Sequence, residues 1–201
     1  MGDHVAVMRK GELQQMDTPQ KLYSDPKNLF VASFIGSPSM NLVEAHIQRS
    51  NGALVAKLGD QELTVPAQLA AERPALEGYV GRTVALGIRP EQLEDASLVR
   101  EEASKLRGRV LLTEALGAEL LAHVELAGKP VVTDDVLEGA VELEDAMLDD
   151  LAQKAEEQRT TFVGRFDAAS EVRPDHIVDM AVDTSKLQFF DLETGTSIRA
   201  G

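Results

Sequence analysis

The chain has 201 residues, a formal net charge of −14 and no cysteine, so it can bury a sizeable core but cannot form disulfides or thiolate metal sites. Its acidity argues against DNA or RNA as a partner, because contacts with phosphates need clustered lysine and arginine side chains. No run of eighteen apolar residues occurs, and we therefore expect no direct insertion into a membrane.

The first forty residues predict a hairpin followed by two short helices. Residues 5–16 form the hairpin pattern, in which Gly11 supplies the positive φ that the turn needs. Thr18 stands before a proline, which is typical of a helix start. Asp25 repeats this device ahead of a second helix, which Gly36 ends. Such a small set cannot enclose a core, so we expect it to close a larger domain whose beginning is missing.

Strand patterns dominate the rest of the chain. Asn51-Gly52 predicts a tight hairpin turn, since both central positions of a type I′ turn need positive φ. A helical stretch around residues 68–78 is interrupted by Pro74. Strands separated by turns every eight to twelve residues indicate a closed or half-closed β architecture. The expected strands lie within residues 42–48, 53–58, 62–66, 83–88, 107–126, 160–167, 177–183 and 187–198.

Residues 131–160 form an acidic segment, with ten Asp and Glu against Lys154 and Arg159. Within it, Leu143, Met147 and Leu151 recur every four residues, which predicts an amphipathic helix of about four turns. The simplest interpretation is a solvated helix lying on a sheet. A helix that docks a partner and a carboxylate metal site are the alternatives.

Two stretches of the chain resemble a known family. Residues 2–41 are similar, nearly position by position, to the closing elements of the nucleotide-binding domain in the ATPase subunits of maltose-type carbohydrate ABC importers. Residues 87–91 (GIRPE), 114–126 and 172–195 resemble successive motifs of that family's C-terminal regulatory domain. The acidic segment departs from the family, because many relatives have a shorter connection there.

The resemblance implies a mainly β fold with a few helices. It implies an OB-fold-like transport-associated barrel of the TOBE/MOP-like kind, with an added β-subdomain. Residues 1–38 would be the C-terminal remnant of the nucleotide-binding domain. Residues 39–201 would be the regulatory OB-type domain, with an acidic helical insertion at about 131–160.

The motifs of ATP chemistry are absent from the sequence. No G-x-x-x-x-G-K-[ST] phosphate loop occurs, and the family's Walker B aspartate, signature motif and switch histidine are missing as well. We therefore expect no enzyme activity and no catalytic, cofactor-binding or metal site in this chain. The resemblance implies that the intact subunit needs ATP and magnesium, through residues not present here.

The function implied by the resemblance is that of a regulatory and dimerisation domain in the ATP-binding subunit of an importer for sugars or related solutes. It implies a homodimer through the regulatory domain and permease subunits bound by the missing nucleotide-binding domain. It also implies a cytoplasmic position, peripheral on the inner face of the cell membrane. The alternative is a module that senses a small oxyanion or sugar, although the sequence has no compact run of Ser, Thr or Lys for such a site.

Three regulatory or interface candidates lie in the GIRPE motif. Arg89 precedes Pro90 and is therefore held extended. From there its guanidinium could form a bidentate pair with a carboxylate such as Glu91 or one across an interface. A structural salt bridge within one subunit is the alternative.

The other candidates lie in two strand regions. Gly117 is predicted to supply a turn between strands, which places Glu119 at the rim of a hairpin. By resemblance, Gly117, Glu119 and Phe190 inherit a role in regulation or subunit contact. Phe189 and Phe190 point to opposite faces of a strand, so we expect at most one in the core and the other as an interface anchor.

Overall fold

Among the residues that the structure describes, twelve strands form the framework. A computed structural model gives the structure and describes residues 3–99, 103–139 and 153–199. All strand pairs in these ranges are antiparallel. The strands are β1 (Val5–Arg9), β2 (Glu12–Asp17), β3 (Asn41–Ser50), β4 (Ala53–Leu58), β5 (Gln61–Thr64), β6 (Thr83–Ile88), β7 (Leu93–Asp95), β8 (Ser104–Ala115), β9 (Glu119–Ala127), β10 (Arg159–Asp167), β11 (Ile177–Val182) and β12 (Gln188–Phe190).

The helices are short. The α-helices of the described ranges are α1 (Pro19–Ser24), α2 (Leu29–Phe34), α3 (Ala67–Glu72) and α4 (Asp134–Gly139). Short 3₁₀ helices lie at Pro74–Tyr79, Pro90–Gln92, Ala96–Leu98 and Thr184–Lys186. Among the described residues, none of these helices has the length and apolar character needed to cross a bilayer.

Two five-stranded sheets form the β part. The first has the order β12-β6-β3-β4-β5, and the second has the order β10-β9-β8-β11-β7. In the first sheet, Asn51 and Gly52 have φ values of 51° and 83°, which confirms the predicted turn. The second sheet is curled, and its two edge strands meet. There the Asp167 N–H donates to both carboxylate oxygens of Glu94 at 3.0 and 3.1 Å. That contact joins β10 to β7.

One apolar cluster fills the space between the sheets. It includes Ile47 and Leu86 from the first sheet and Leu106 and Phe162 from the second, all fully buried. Sustained alternation of apolar residues along these strands produces this arrangement, since alternate side chains face the same side of a sheet. The two sheets therefore share a single core.

Asn41 adds a polar cross-link between the sheets. Its buried amide donates to the carbonyls of Ile88 and Val163, each at 3.0 Å, and accepts from the Val163 N–H at 2.7 Å. Val163 lies on β10 of the second sheet, whereas Asn41 begins β3 of the first. A side chain with three satisfied hydrogen bonds in a buried position fixes the two strands relative to each other.

The N-terminal residues form a separate small unit. The two-stranded sheet β1-β2 and helices α1 and α2 enclose a cluster of Val7, Leu22, Phe30 and Val31. As predicted, the Thr18 hydroxyl caps α1 by accepting from the Lys21 N–H. The predicted start of the second helix at Asp25 is wrong.

Asn28 caps the second helix instead, by accepting from the Val31 N–H at 2.9 Å. Asp25 is used at the end of the first helix, where its N–H donates to the Lys21 carbonyl. The connection between the two helices is therefore only a few residues long. The predicted boundary at residue 38 stays a prediction.

The acidic segment is only partly described. Its first part contains α4, and residues 140–152 lie outside the described residues. The predicted amphipathic helix with Leu143, Met147 and Leu151 on its apolar face falls there.

Replacing Asn41 should test the cross-link between the sheets. We expect Asn41→Ala to lower the free energy of unfolding by about 1–3 kcal/mol, because it leaves the buried polar groups of Val163 and Ile88 unpaired. Urea denaturation followed by circular dichroism would measure the loss. Glu62→Ala, at an exposed position of β5, is the control and should change stability by less than about 0.5 kcal/mol. An equally small effect of Asn41→Ala would show that the amide does not hold the sheets together.

Candidate interdomain joint

Arg89 lies where the N-terminal unit meets the first sheet. It follows strand β6, and Pro90 keeps its backbone extended at φ −72° and ψ 147°. Its side chain is only 2% exposed and reaches under both N-terminal helices. One guanidinium nitrogen donates to the Tyr23 carbonyl at 2.7 Å, and the other donates to the carbonyls of Ile35 and Ala32. These oxygens belong to the C-terminal ends of α1 and α2.

Helix ends explain why a cation lies there. The last carbonyls of a helix have no partner within it and carry partial negative charge. Arg89 supplies donors to two such ends at once, and its guanidinium lies 4.0 Å from the centre of the Tyr23 ring. Burial lowers the pKa of Arg89 from its usual value, but an arginine keeps its proton. The site is therefore a buried positive charge held mainly by backbone dipoles.

The predicted bidentate pair between Arg89 and Glu91 is wrong. Glu91 accepts instead from the Tyr23 hydroxyl at 2.7 Å. Burial, and then this hydrogen bond, raise the pKa of Tyr23 to about 12. Arg89 and Glu91 do not pair, because Arg89 points toward the helix-end carbonyls while the Glu91 carboxylate lies at the exposed rim beyond the Tyr23 ring. Tyr23 thus contacts two residues of the GIRPE motif, Arg89 at the face of its ring and Glu91 at its hydroxyl.

A second arginine fixes the loop between the two helices. Arg199 donates to the Asp25 carboxylate at 2.8 Å and to the carbonyls of Asp25 and Pro26 at 2.9 and 2.7 Å. The buried Arg73 donates to the Gln188 side chain at 2.6 Å, and burial lowers the pKa of Arg73. Gln188 in turn donates to a carbonyl at the end of α1. Arg199 and Gln188 thus join the N-terminal unit to the first sheet. We call the contacts of Arg89, Tyr23, Arg73 and Arg199 at this boundary the joint.

The expectation that one phenylalanine of the pair at 189–190 is an interface anchor is wrong. Phe189 and Phe190 are both fully buried. They do point to opposite faces of β12, but each face is covered. Phe189 lies in the core between the sheets, and Phe190 packs in a second cluster with Leu29 of α2 and Met40. The N-terminal unit therefore provides the cover that the alternation pattern alone does not show.

Gly117 and Glu119 lie apart from the joint, at the tip of the hairpin between β8 and β9. Gly117 has φ 79° and confirms the predicted turn. Glu119 pairs with Arg165 of β10 at 3.2 Å and is half-exposed. The neighbouring Leu116 is 58% exposed, so the tip presents apolar as well as charged surface. Whether these residues act in regulation or subunit contact stays a prediction.

Sequence reasoning missed three residues of the joint. Tyr23, Arg199 and Arg73 were not singled out, although Tyr23 is one of only two tyrosines in the chain. Their partners are largely backbone carbonyls, which have no residue-specific signal. The Arg-Pro pair in GIRPE was the sequence feature that pointed to this site.

Comparison with known families gives two matches within the β part of the chain. Residues 36–93 match the family described as the MalK OB fold domain, and residues 86–145 match the TOBE domain. Residues 36–145 therefore carry an OB domain of the MalK type and a TOBE domain. The mainly β fold with OB and TOBE parts, which the resemblance implied, is confirmed.

Similar proteins are ATP-binding proteins of sugar import. The trehalose/maltose import ATP-binding protein MalK of Thermococcus litoralis is 35% identical over 205 residues, covering 98% of this chain and 45% of that protein. The trehalose import ATP-binding protein SugC of Mycobacterium tuberculosis is 32% identical over 210 residues, covering 98% and 48%. The oligosaccharides import ATP-binding protein MsmX of Bacillus subtilis is 29% identical over 202 residues, covering 99% and 45%. The chain thus spans less than half the length of each.

A solved structure gives a weaker likeness. The cytoplasmic molybdate-binding protein ModG, with molybdate bound, matches with a TM-score of 0.43 at 14% identity, covering 74% of this chain and 94% of that one. That likeness is too weak to support a conclusion about fold or ligand. The small-ligand alternative is not better supported by the comparisons than the importer function.

Arg89 is expected to be the residue on which the joint depends. Arg89→Met should lower the free energy of unfolding by about 2–4 kcal/mol, because three buried carbonyls lose a charged donor. Arg89→Lys should recover only part of this, since an ammonium lacks the fork that reaches two helix ends. Urea denaturation would measure the loss, and cleavage by subtilisin within residues 36–40 should become faster.

The matched control is Arg82→Met, which removes an exposed guanidinium lying 4.8 Å from the Tyr79 ring centre. We expect a loss below about 1 kcal/mol for that variant. If Arg89→Met cost no more than the control and left cleavage unchanged, Arg89 would not be the residue that holds the N-terminal unit in place.

Proposed function

We propose that this chain is the regulatory and dimerisation part of the ATP-binding subunit of an ABC importer for sugars or related solutes. The observation that carries the proposal is the similarity over nearly the whole chain to three ATP-binding proteins of sugar import. The matches to the MalK OB fold domain and the TOBE domain support it. In this proposal the chain itself does not hydrolyse ATP, because it lacks a phosphate-binding loop.

The N-terminal unit is, in this proposal, the end of the nucleotide-binding domain. The pairing of β1 with β2 supports this, because it brings Ala6, Met8, Leu13 and Met16 to one face. All four are exposed, whereas Val7 and Gln15 on the opposite face are buried. A contiguous exposed apolar face on so small a sheet indicates a surface that another part of the protein covers.

The rest of the nucleotide-binding domain is the proposed cover. It would bind ATP and magnesium and contact the permease subunits, on the inner face of the membrane. The joint at Arg89 would then transmit a change in the orientation of that domain to the regulatory domain. Such coupling needs a ligand or partner that prefers one arrangement over the other.

Leu13→Asp tests the cover of the hairpin. In the isolated chain, where Leu13 is 57% exposed, we expect no measurable loss of stability. In the intact subunit the same change should cost about 2 kcal/mol or more and lower ATPase activity, because it buries an unpaired carboxylate. Thermal unfolding and ATPase assays would measure both effects. Leu98→Asp, at an exposed position between β7 and β8, should be tolerated in both proteins, and equal tolerance of Leu13→Asp would contradict the proposed cover.

The second test concerns dimerisation through the regulatory domain. We expect the isolated chain to be a dimer at tens of micromolar in sedimentation velocity. The proposed contact is the tip of the β8–β9 hairpin, where Leu112 and Leu116 are 49% and 58% exposed. Leu116→Asp should therefore give a monomer, whereas Leu13→Asp should remain dimeric. A monomeric wild-type chain, or a dimer abolished only by Leu13→Asp, would refute dimerisation through this domain.

A further inference from the structure

The acidic segment contacts the N-terminal unit at a second place, away from Arg89. Helix α4 lies against the turn between β1 and β2. The Glu138 carboxylate accepts from Arg9 at 2.8 Å and from Lys10 at 2.6 Å, one on each oxygen. Asp135, one turn earlier on the helix, also pairs with the Arg9 guanidinium. Arg9 further lies 5.3 Å from the centre of the Phe30 ring.

Apolar packing also holds α4 against the N-terminal unit. Val136 and Val131 pack in the cluster that contains Leu29 and Ala32 of α2. A side chain at Gly195 would collide with the Asp135 carboxylate, so the C-terminal loop approaches the same helix closely. Three separate parts of the chain therefore meet at α4.

We infer that α4 is a charge clasp, in which Asp135 and Glu138 hold the Arg9-Lys10 turn and so set the orientation of the hairpin relative to the β domain. The inference rests on the proposed function for its regulatory meaning but not for its physical test. The clasp differs from the Arg89 joint in its exposure: the side chains of Arg9, Asp135, Glu138 and Lys10 are 21%, 23%, 32% and 76% exposed, whereas Arg89 is 2% exposed. Salt screens exposed charges much more than buried ones.

Ionic strength is therefore the variable that opens the clasp. The Debye length falls from about 10 Å at ~0.1 M salt to about 3 Å at ~1 M, so the exposed pairs weaken while the buried joint is retained. The hairpin then turns about the Arg89 joint without leaving the β domain. A rise in ionic strength would in this way change the position of the apolar hairpin face on which the rest of the nucleotide-binding domain is proposed to pack.

Acidity near neutrality does not operate the clasp. The hydrogen bonds from Arg9 and then Lys10 lower the pKa of Glu138 from 4.5 to about 2. A carboxylate with a lowered pKa contributes its full effect above the unfolded value and loses it only as pH falls toward the folded one. The contribution is thus constant from pH 8 to about 5, and salt is the effective variable over that range.

Spin labels can measure the clasp directly, because the chain has no native cysteine to remove. Glu12→Cys on the hairpin and Val132→Cys before α4 form one labelled pair, with both sites exposed. Gln20→Cys on α1 and Thr83→Cys on β6 form a second pair across the Arg89 joint, also at exposed sites. Electron–electron double resonance, with labelled chains diluted in unlabelled ones, would give both distance distributions at about 0.05 M and about 1 M NaCl.

The expected result is selective. The first pair should give a narrow distribution at low salt that broadens to longer distances at high salt, and the second pair should stay unchanged. Glu138→Gln should show the broad distribution already at low salt. Glu77→Gln, which breaks a surface pair with Arg49 away from α4, is the control and should behave as the wild type.

Two outcomes would overturn the inference. An unchanged first pair at high salt would show that apolar packing alone holds α4. Equal broadening of both pairs would show general loosening instead of a clasp. Both outcomes are independent of dimerisation and of the role in an importer, which the tests with Leu13 and Leu116 address.

Discussion

The contact between the Arg89 guanidinium and the carbonyls that end two helices determines how the N-terminal unit lies on the β domain. A buried cation is costly unless its donors are satisfied. Here the two terminal nitrogens of the guanidinium donate to carbonyls at helix ends, whereas the buried Nε has no hydrogen-bond partner among the described residues. Because the oxygens come from both α1 and α2, neither helix can turn without leaving the charge unpaired. This side chain therefore contributes to the orientation of both helices, together with the contacts of Arg199 and Gln188.

Two of the charged connections to the N-terminal unit, the Arg89 joint and the contacts of α4, differ in kind. Breaking a buried charge interaction is strongly destabilising, whereas an exposed ion pair contributes little to stability. The Arg89 joint belongs to the first class, and the contacts of Glu138 belong to the second. A strong fixed point combined with a weak adjustable one allows rotation about the fixed point without dissociation. Two strong connections would prevent that rotation, and two weak ones would release the unit.

Local features were readable in the sequence, and contacts between distant segments were not. The turns at Asn51-Gly52 and Gly117 depend on the φ values of single residues, so the residue types predict them. Alternation correctly put Phe189 and Phe190 on opposite faces, but it holds no information on what covers a face. The partners of Arg89 were unreadable for another reason. Backbone carbonyls are the same in every residue, so nothing in the sequence distinguishes the ones that a guanidinium will reach.

The shared core makes the β domain a single body for the purpose of coupling. One apolar cluster spans both sheets, and the Asn41 amide links β3 to β10 across them. Closely packed interiors resist continuous deformation, so a displacement at the β8–β9 hairpin tip is not absorbed between the sheets. It reaches β6, which ends at Arg89. The N-terminal unit contacts this body through charged groups at the joint and at α4, beside the apolar cluster of Leu29 and Phe190, and the two charged contacts are where regulation can act.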